Sequence, residues 1–293
     1  MSFVTLKEML ADARKNHYAI PAFDVSNYEM IRCVAEVCAE ERSPALLMGL
    51  QPDLNGTGLY FMRDIALRAS EEYHVPFCLH LDHATEMKNI VRAVEAGFSS
   101  VMYDGSKLSF DENAANTREV VDYAHAHGVT VEAELGHVGD AIAGNNQTLV
   151  TASTDAEVEE NFTKPADVVE FVARTDVDCL AVAVGTSHGV YVKAPKLKLE
   201  LLDRINTDSP IPLVLHGGSG TPDEEIRGAI ARGITKINVY SEVLNALNTG
   251  LRNKLNTIQN LSMWPCFVYE DAIKQMKEVI RDKIRVFGSN GRV

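Results

Sequence analysis

The sequence is poor in features that would cross-link the chain or anchor it in a membrane. It has only five cysteines, an odd number, and no two of them have CxxC spacing. Such a set argues against a disulfide framework and indicates a reducing compartment. The first twenty residues contain acidic side chains and no continuous apolar run, which argues against a signal peptide or a membrane span. We therefore expect a cytoplasmic protein without a membrane partner.

Positive charge is scarce as well. Lysine and arginine total 28 against 41 aspartates and glutamates, so the formal net charge is -13. Nucleic acids and anionic membranes need a basic face, and this excess of acid argues against either partner. A small phosphorylated ligand is still compatible with the composition, because it needs only a local site.

No stretch rich in proline, glycine or serine divides the 293 residues into two domains. Short apolar runs alternate instead with longer segments that have helical spacing. Near-continuous apolar runs are typical of strands buried on both faces of a parallel sheet. Eight such runs are present, at 18–25, 44–50, 76–83, 99–106, 130–136, 179–189, 212–220 and 236–241. Eight strands that each precede a helix predict an α/β fold, a single (β/α)8 TIM barrel over residues 1–293.

Two segments lie outside this regular alternation. Residues 267–293 contain a further amphipathic helix and a tail, which follow the predicted barrel. Residues 136–164 form a polar connection without clear periodicity. Connections of this length in a compact domain are commonly lids over a site. We predict a long mobile active-site loop there, with a plain surface insertion as the alternative.

Polar residues interrupt the predicted strands mainly at their carboxyl ends, where the active sites of such barrels lie. Three of them are histidines, His83, His188 and His216, at the ends of the third, sixth and seventh strands. A single histidine in this position is more often a hydrogen-bonded structural residue. Three imidazoles that converge on one barrel mouth and leave one position open are typical of a catalytic zinc site. The metal prediction therefore depends on the barrel prediction.

The last two predicted strands are followed by segments that favour phosphate binding. The letters "GGSG" occupy 217–220, and "NVYS" occupies 238–241 before a predicted helix. Glycine lets backbone N–H groups approach an anion, and a helix N-terminus adds a favourable dipole. TIM barrels often bind phosphate in these two loops. On its own, "GGSG" would indicate only a turn.

Charged residues within the predicted strands have several possible roles. Asp82 adjoins a predicted ligand and could orient it or transfer protons. Glu132 and Glu134 lie on one face of the fifth strand, where they either serve the site or form an internal hydrogen-bonded layer. Lys236 suggests a Schiff-base mechanism as a rival. It lies at the start of the eighth strand, so we interpret it as structural.

Five motifs resemble those of the class II, zinc-dependent ketose-phosphate aldolases. In order along the chain they are "HLDHA", "VEAELGHVG", "AVAVGTSHGVY", "PLVLHGGSG" and "KINVYSE". The resemblance extends from about Tyr18 to the C-terminus and is strongest to the tagatose-bisphosphate-type and less characterised sugar-phosphate branches. It implies reversible aldol cleavage of a phosphorylated ketose to dihydroxyacetone phosphate and an aldehyde. It also implies a homodimer or homotetramer.

The resemblance implies roles for particular residues. One catalytic Zn²⁺ would be held by His83, His188 and His216. Asp82 would act as acid and base on the C4 oxygen of the ketose, and Asn238 would stabilise the developing charge. Asp104 and Glu134 match acidic positions near the metal, where they could support it or bind an alternative ion. The dihydroxyacetone phosphate end, with Na⁺ or K⁺ possible beside it, would contact Gly189, Gly217, Gly218, Ser219, Asn238, Val239, Tyr240 and Ser241.

The sequence departs from the family pattern in its long loop. The family usually has a glutamate close after "ELG" as the base that removes a proton from dihydroxyacetone phosphate. Here no glutamate follows before Glu157. Asp140 is the candidate in its place, and the alternatives are Asp155, Glu157, Glu159 and Glu160.

A second departure concerns the far end of the substrate. Fructose-bisphosphate enzymes tend to carry an arginine after an Asp-Pro near the C-terminal helix, and this chain has none there. We therefore predict a ketose 1-phosphate, or a bisphosphate other than fructose-1,6-bisphosphate, with Tyr240 shaping the distal pocket. The alternatives are fructose- or tagatose-1,6-bisphosphate aldolase proper and a metal-free phosphate-binding isomerase barrel. A Schiff-base aldolase, a non-catalytic binding protein and a zinc hydrolase are more distant alternatives.

Overall fold

The computed structural model describes residues 3–140, 159–189, 191, 194–260 and 262–293. It contains strands β1 Ile20–Asp24, β2 Ala45–Leu50, β3 Phe77–Ala84, β4 Ser100–Tyr103, β5 Thr130–Leu135, β6 Gly139–Asp140, β7 Cys179–Val182, β8 Ser187–His188, β9 Leu213–Leu215 and β10 Ile234–Val239. Eight of these close into a parallel barrel in the order β1-β10-β9-β7-β5-β4-β3-β2. The short strands β6 and β8 pair with each other. The prediction of a (β/α)8 barrel is confirmed.

Helices surround the barrel and continue beyond it. They are α1 Leu6–Asn16, α2 Tyr28–Glu41, α3 Gly58–Tyr73, α4 Met87–Ala96, α5 Phe110–Ala126, α6 Pro165–Thr175, α7 Leu199–Asp208, α8 Asp223–Ile230, α9 Ser241–Thr257, α10 Pro265–Val268 and α11 Glu270–Phe287. A 3-10 turn, Glu159–Asn161, precedes α6. Within the described residues, no helix combines the length and apolar character needed to span a membrane.

Helix α1 has no counterpart among the predicted elements. A capping box begins it, because the Thr5 hydroxyl accepts from Glu8 N and the Glu8 carboxylate accepts from Thr5 N. Its apolar residues Leu6 and Leu10 are fully buried against the side chains that fill the barrel interior. The chain just before it bonds to Phe77 O at the start of β3. Helix α1 therefore closes the amino-terminal end of the barrel, and the carboxyl end is left for ligands.

The predicted extra C-terminal helix is present as α11, which packs against α9 and α2. Its apolar face buries Ala272, Met276, Ile280, Ile284 and Phe287. Arg285 contacts both carboxylate oxygens of Glu41 on α2, at 2.7 and 3.0 Å. At its end, Ala19 N donates to Phe287 O just before β1. These contacts fasten the segment to the outside of the barrel.

The two ends of the long connection at 136–164 are held at the carboxyl end of the barrel. The Thr163 hydroxyl donates to Leu135 O at the end of β5 and accepts from Ala183 N after β7, at 2.8 Å. Asn161 O accepts from His137 N at 2.9 Å. Residues 141–158 lie outside the described residues, so the mobile active-site loop stays a prediction.

Candidate active site

His83 lies at the barrel mouth because β3 is irregular at its carboxyl end. In a regular strand, successive side chains point to opposite faces, so Asp82 and His83 would diverge. The pairing register of β3 with β4 shifts between Leu81 and Ala84, and His83 has a left-handed backbone with φ of 49°. Bulges of this kind redirect a side chain and are common beside active sites. As a result, Asp82 Oδ2 lies 3.7 Å from His83 Nε2.

Three imidazoles meet at this end of the barrel. Ring centroids are 4.7 Å apart for His83 and His188, 4.8 Å for His83 and His216, and 5.6 Å for His188 and His216. One nitrogen of each ring lies within 4.8 Å of the others. His188 Nε2 and His216 Nδ1 are 3.4 Å apart. Two nitrogens bound at about 2.0–2.1 Å to one tetrahedral Zn²⁺ are about 3.3 Å apart, so the spacing of His188 Nε2 and His216 Nδ1 fits the ion, and His83 is close enough to complete the set.

Carboxylates orient two of these imidazoles. His83 Nδ1–H donates to Asp104 Oδ2 at 2.9 Å, and His216 Nε2–H donates to Glu132 Oε1 at 2.8 Å. Ser106 N in turn donates to Asp104 Oδ1 at 3.1 Å. The bonds leave His83 Nε2 and His216 Nδ1 as the nitrogens available to a metal. Carboxylates behind ligating histidines are the usual support of a protein metal site.

The charges around the imidazoles favour a cation. Burial alone would lower the pKa of His83, but Asp82 and Asp104 outweigh it and raise this pKa to about 10. Burial, reinforced by the charge of His83, lowers the pKa of His216 well below its ordinary value, so that ring is neutral. Burial, reinforced by Asp104, raises the pKa of Glu134 to about 8. A bound divalent ion would balance these carboxylates.

The two glutamates of β5 have different surroundings. Glu132 Oε2 lies 2.8 Å from Lys236 Nζ, and both side chains are fully buried. Glu132 therefore belongs to an internal hydrogen-bonded layer beneath the imidazoles. Glu134 Oε1 accepts from Val138 N at 2.9 Å, and Glu134 Oε2 has no hydrogen-bond partner among the described residues. Together with His83 and Asp104, Glu134 forms a second group whose ligand atoms could hold an ion.

Asp82 and Asn238 face each other beside the imidazoles. Asn238 Nδ2 donates to Asp82 Oδ1 at 3.3 Å, and both side chains are buried. Asn238 Oδ1 has no hydrogen-bond partner within the described parts of the chain. The pair therefore combines a carboxylate that can move protons with an amide that can still bind a polar group.

The predicted phosphate segments lie side by side after β9 and β10. Gly218 N donates to Asn238 O at 3.1 Å. Ser219 Oγ accepts from Tyr240 N at 3.1 Å and from Glu242 N at 3.3 Å, where α9 begins. An oxygen atom is thus already bound by the backbone N–H groups of this helix N-terminus. The same arrangement suits an anion.

Tyr191 holds the glycine loop against β8. Its hydroxyl donates towards Ser187 O at 2.8 Å and Gly217 O at 3.0 Å, and accepts from Ser187 N at 2.8 Å. Gly217 has φ of 68°, and a Cβ at that position would strike the Ser187 carbonyl oxygen. Gly189 also has a left-handed backbone, with φ of 98°. Glycine is required at Gly217 by both conformation and space.

Buried oxygens that lack a hydrogen-bond partner cluster at the carboxyl end of the barrel. Among the described residues they include Asp24 Oδ1, Glu134 Oε2, Thr186 Oγ1, Ser187 Oγ and Asn238 Oδ1. Buried polar atoms in native proteins nearly always have a partner. These atoms therefore indicate a site built to receive a polar ligand or an ion.

Of the predicted loop bases, Asp140 is the one whose backbone the structure describes beside this cluster. Asp140 pairs with His188 through the backbone of β6 and β8, and its side chain lies outside the described residues. Asp155 and Glu157 also lie outside them. Glu159 and Glu160 are exposed in the 3-10 turn. The identity of the base stays a prediction. Of the remaining predicted residues, Val239 ends β10 and Ser241 begins α9.

Asp24 and Tyr191 are site residues that the sequence reading did not find. Asp24 ends β1 and is 5% exposed, so it carries the same signal, a polar residue at a strand end, that indicated Asp82 and His188. Tyr191 carries no comparable signal, because its role depends on contacts between two loops that are distant in sequence.

Comparison with known proteins identifies the family of the chain. A model of the class II fructose-bisphosphate aldolase family matches residues 4–292. The chain belongs to this family. The YdjI aldolase from Escherichia coli K12 is 31% identical, with 100% of this chain and 99% of that chain covered and a TM-score of 0.84. The fructose-bisphosphate aldolase from Campylobacter jejuni is 21% identical, with 100% and 97% covered and a TM-score of 0.80, and it supports the fold alone.

Membership in the class II aldolase family establishes the type of reaction. The chain is an aldolase, a lyase that breaks a carbon–carbon bond. The resemblance noted from the five motifs is confirmed. Class II aldolases generally depend on zinc, and the three imidazoles could hold a metal ion.

Proposed function

We propose that this aldolase carries out reversible, zinc-dependent cleavage of a ketose 1-phosphate, or of a ketose bisphosphate other than fructose-1,6-bisphosphate. The products are dihydroxyacetone phosphate and an aldehyde. The observation that carries the proposal is the meeting of three imidazoles, two of them oriented by carboxylates, beside the Asp82–Asn238 pair. We propose a cytoplasmic homodimer or homotetramer as the working form.

Zn²⁺ would be held by His83, His188 and His216. When bound, the ion supplies a Lewis acid that polarises the ketose carbonyl and favours negative charge on its oxygen. Asp104 and Glu132 would keep two of the imidazoles in the required tautomer and orientation through the Nδ1–H and Nε2–H bonds. Asp104 and Glu134 could instead bind an alternative ion.

Asp82 would move the proton of the cleavage step. In the cleavage direction its carboxylate takes the proton of the C4 hydroxyl while the C3–C4 bond breaks, and it returns that proton in synthesis. The amide of Asn238 holds Asp82 Oδ1 at 3.3 Å and would contact the developing charge on the substrate. Both side chains are buried, so water would have little access to this transfer.

The phosphate of the substrate would bind between the loops after β9 and β10. Contacts would come from Gly189, Gly217, Gly218, Ser219, Asn238, Val239, Tyr240 and Ser241, with Na⁺ or K⁺ possible beside them. Phosphate binding there would position the reacting carbons near the imidazoles. Binding energy from the phosphate, which does not react, would in this way lower the barrier of the chemical step. Asp140 is the proposed base that removes a proton from dihydroxyacetone phosphate, with Asp155, Glu157, Glu159 and Glu160 as alternatives.

Metal removal and product analysis test this function. We expect EDTA to abolish release of dihydroxyacetone phosphate from a panel of ketose phosphates and added zinc to restore it. Efficient turnover of fructose-1,6-bisphosphate above all other ketoses would contradict the substrate class. If activity resists EDTA and borohydride traps a substrate adduct on Lys236, the mechanism is a Schiff-base one. An isomerised product without an aldehyde would favour a metal-free isomerase barrel.

A further inference from the structure

His80 lies inside the barrel, between the carboxylates of two site residues. It alternates with Cys78 along β3, and Cys78 belongs to the apolar cluster inside the barrel, so the His80 side chain points inward as well. The imidazole is fully buried, and its Nε2 is 3.8 Å from Asp82 Oδ1 and 3.9 Å from Glu132 Oε2. Asp82 is the proposed acid and base, and Glu132 supports the imidazole of His216.

The nitrogen between these two carboxylates lacks a hydrogen bond in this structure. Both distances exceed the usual hydrogen-bond length, and His80 Nε2 has no partner among the described residues. Buried polar atoms in native proteins nearly always have a partner. Catalytic hydrogen bonds are often long before substrate binds and shorten in the substrate complex. The position of His80 Nε2 therefore favours a bond that forms when substrate binds.

The other ring nitrogen of His80 is held by Ser100. The two residues are register partners on β3 and β4, and Ser100 Oγ lies 2.8 Å from His80 Nδ1. Burial, reinforced by the charge of Lys236, lowers the pKa of His80 well below its ordinary value, so the ring is neutral and carries one N–H. A hydroxyl can donate or accept, so the contact with Ser100 by itself fits either tautomer.

The surroundings of Nε2 decide between the two tautomers. A bare Nε2 would direct its lone pair at two carboxylate oxygens, which repel it, and no donor among the described residues bonds to it. An Nε2–H would instead direct its positive end at the same two oxygens. In that tautomer the Ser100 hydroxyl donates to Nδ1. The geometry therefore favours the tautomer that carries its proton on Nε2.

Of the two carboxylates, that of Asp82 is less firmly bound by other donors. Glu132 Oε2 already contacts the charged Lys236 Nζ at 2.8 Å. Asp82 Oδ1 accepts from the neutral amide of Asn238 at the longer distance of 3.3 Å. In the proposed function Asn238 also contacts the developing charge of the substrate. An amide drawn towards the substrate would hold Asp82 less well, and the Nε2–H of His80 is close enough to take over that contact.

We propose that His80, with its proton on Nε2, is a positioning residue that donates a hydrogen bond to Asp82 Oδ1 in the substrate complex. The inference rests on the proposed aldolase function and assigns the support of its acid and base. Asp82 Oδ2 lies beside the imidazoles, 3.7 Å from His83 Nε2, and is the oxygen that takes the C4 proton. A bond to Oδ1 fixes the direction of Oδ2. Small displacements of a catalytic group slow a reaction strongly, because the reacting atoms must be close and aligned.

Two partial reactions of the enzyme test this role. In the proposed function, cleavage uses Asp82, whereas removal of a proton from dihydroxyacetone phosphate uses a different base. For the ketose phosphate that wild type cleaves fastest, we expect His80→Met to lower kcat by about tenfold to a hundredfold and to leave KM nearly unchanged. Exchange of the dihydroxyacetone phosphate proton with deuterated water should keep its wild-type rate. His80→Gln keeps an N–H near the position of Nε2, so it should lose less kcat than His80→Met.

A smaller substitution covers the case in which the His80 variants fail to fold. Ser100→Ala removes the hydroxyl from Nδ1 and keeps the imidazole, so we expect the same pattern with a loss of kcat of about twofold to tenfold. Ser43→Ala is the matched control. Its hydroxyl is equally buried and lies 2.9 Å from Ser289 Oγ, just before β2 at the other end of the barrel. It should leave kcat unchanged, and an equal kcat in Ser100→Ala and Ser43→Ala would contradict the inference.

The tautomer is measured without reference to turnover. In protein with isotopically labelled histidine, NMR distinguishes a protonated ring nitrogen from a bare one, and Ser100→Ala identifies the His80 signals by their shift. We expect a protonated Nε2 and a bare Nδ1. The reverse assignment would overturn the inference, as would equal losses of cleavage and exchange in His80→Met, or no loss of cleavage. Wild type that catalyses neither partial reaction would instead refute the proposed function, while the NMR result would still decide the tautomer.

Discussion

Glu132 accepts a hydrogen bond from His216 Nε2 with one carboxylate oxygen and contacts Lys236 Nζ with the other, at 2.8 Å in both cases. All three side chains are fully buried. Burial opposes the charge of Lys236, but Glu132 outweighs it and raises the pKa of that lysine. The buried ion pair thus connects the centre of the barrel to an imidazole of the candidate metal site. It also gives Lys236 a role that needs no covalent chemistry.

Removal of Lys236 should destabilise the protein more than removal of the whole pair. Lys236→Met leaves Glu132 buried without its cation, and we expect a loss of about 3–5 kcal/mol in the free energy of unfolding. The double variant Glu132→Gln/Lys236→Met removes both charges and keeps an acceptor for His216 Nε2–H, so it should recover much of that loss. Urea denaturation of the three proteins measures the difference. Equal losses in the single and double variants would show that the pair is not coupled.

The carboxylate behind His83 should control zinc affinity. Asp104→Ala removes the acceptor of His83 Nδ1–H, and we expect the Kd for Zn²⁺ to rise about 10- to 100-fold. Asp104→Asn keeps an acceptor, so its Kd for Zn²⁺ should lie between those of Asp104→Ala and wild type. Competition with a chromophoric chelator measures Kd without reference to turnover. Asp122→Ala, an exposed acid on α5, is the control. An unchanged Kd in Asp104→Ala would remove the support assigned to this carboxylate.

The barrel and most of the cluster were predictable because they depend on regular patterns. Apolar runs alternating with helical spacing predicted the eight barrel strands, and polar residues at strand ends indicated His83, His188 and His216. Asp24 has the same signal at the end of β1. A lone aspartate there matches no motif, and the tertiary structure is needed to show that its Oδ1 has no hydrogen-bond partner among the described residues.

Other features could not be read from local pattern. The "TLKE" segment at the start of α1 is a capping-box signature, yet the closure of the barrel's amino-terminal end by α1 depends on contacts with the barrel interior. The bulge that brings Asp82 and His83 together breaks the alternation on which strand prediction relies. The partner of Glu132 is 104 residues away in sequence, at Lys236. Long-range contacts of this kind carry no signal in a short window of sequence.

The glycine loop after β9 should tolerate no side chain at Gly217. Gly217→Ala adds a Cβ that meets the Ser187 carbonyl oxygen at a residue with φ of 68°. We expect a loss of more than about 1 kcal/mol in the free energy of unfolding and a higher KM for the phosphorylated substrate. Gly128→Ala has a similar φ of 72° but no heavy atom within 4 Å of the added Cβ, so it isolates the backbone cost. If both variants have equal stability and KM, crowding against Ser187 has no effect.

Thr163 should stabilise the end of the long connection through its hydroxyl. The hydroxyl donates to Leu135 O and accepts from Ala183 N at 2.8 Å, and the residue is 1% exposed. Thr163→Val keeps the shape of the side chain but leaves a buried carbonyl and a buried N–H without this partner. We expect a loss of about 1–3 kcal/mol in the free energy of unfolding, measured by urea denaturation. Thr207→Val removes a hydroxyl bond to Asp203 O on an exposed helix end, and it should cost less than half as much. Equal losses would mean that the Thr163 hydroxyl does not hold β5 and β7 to this segment.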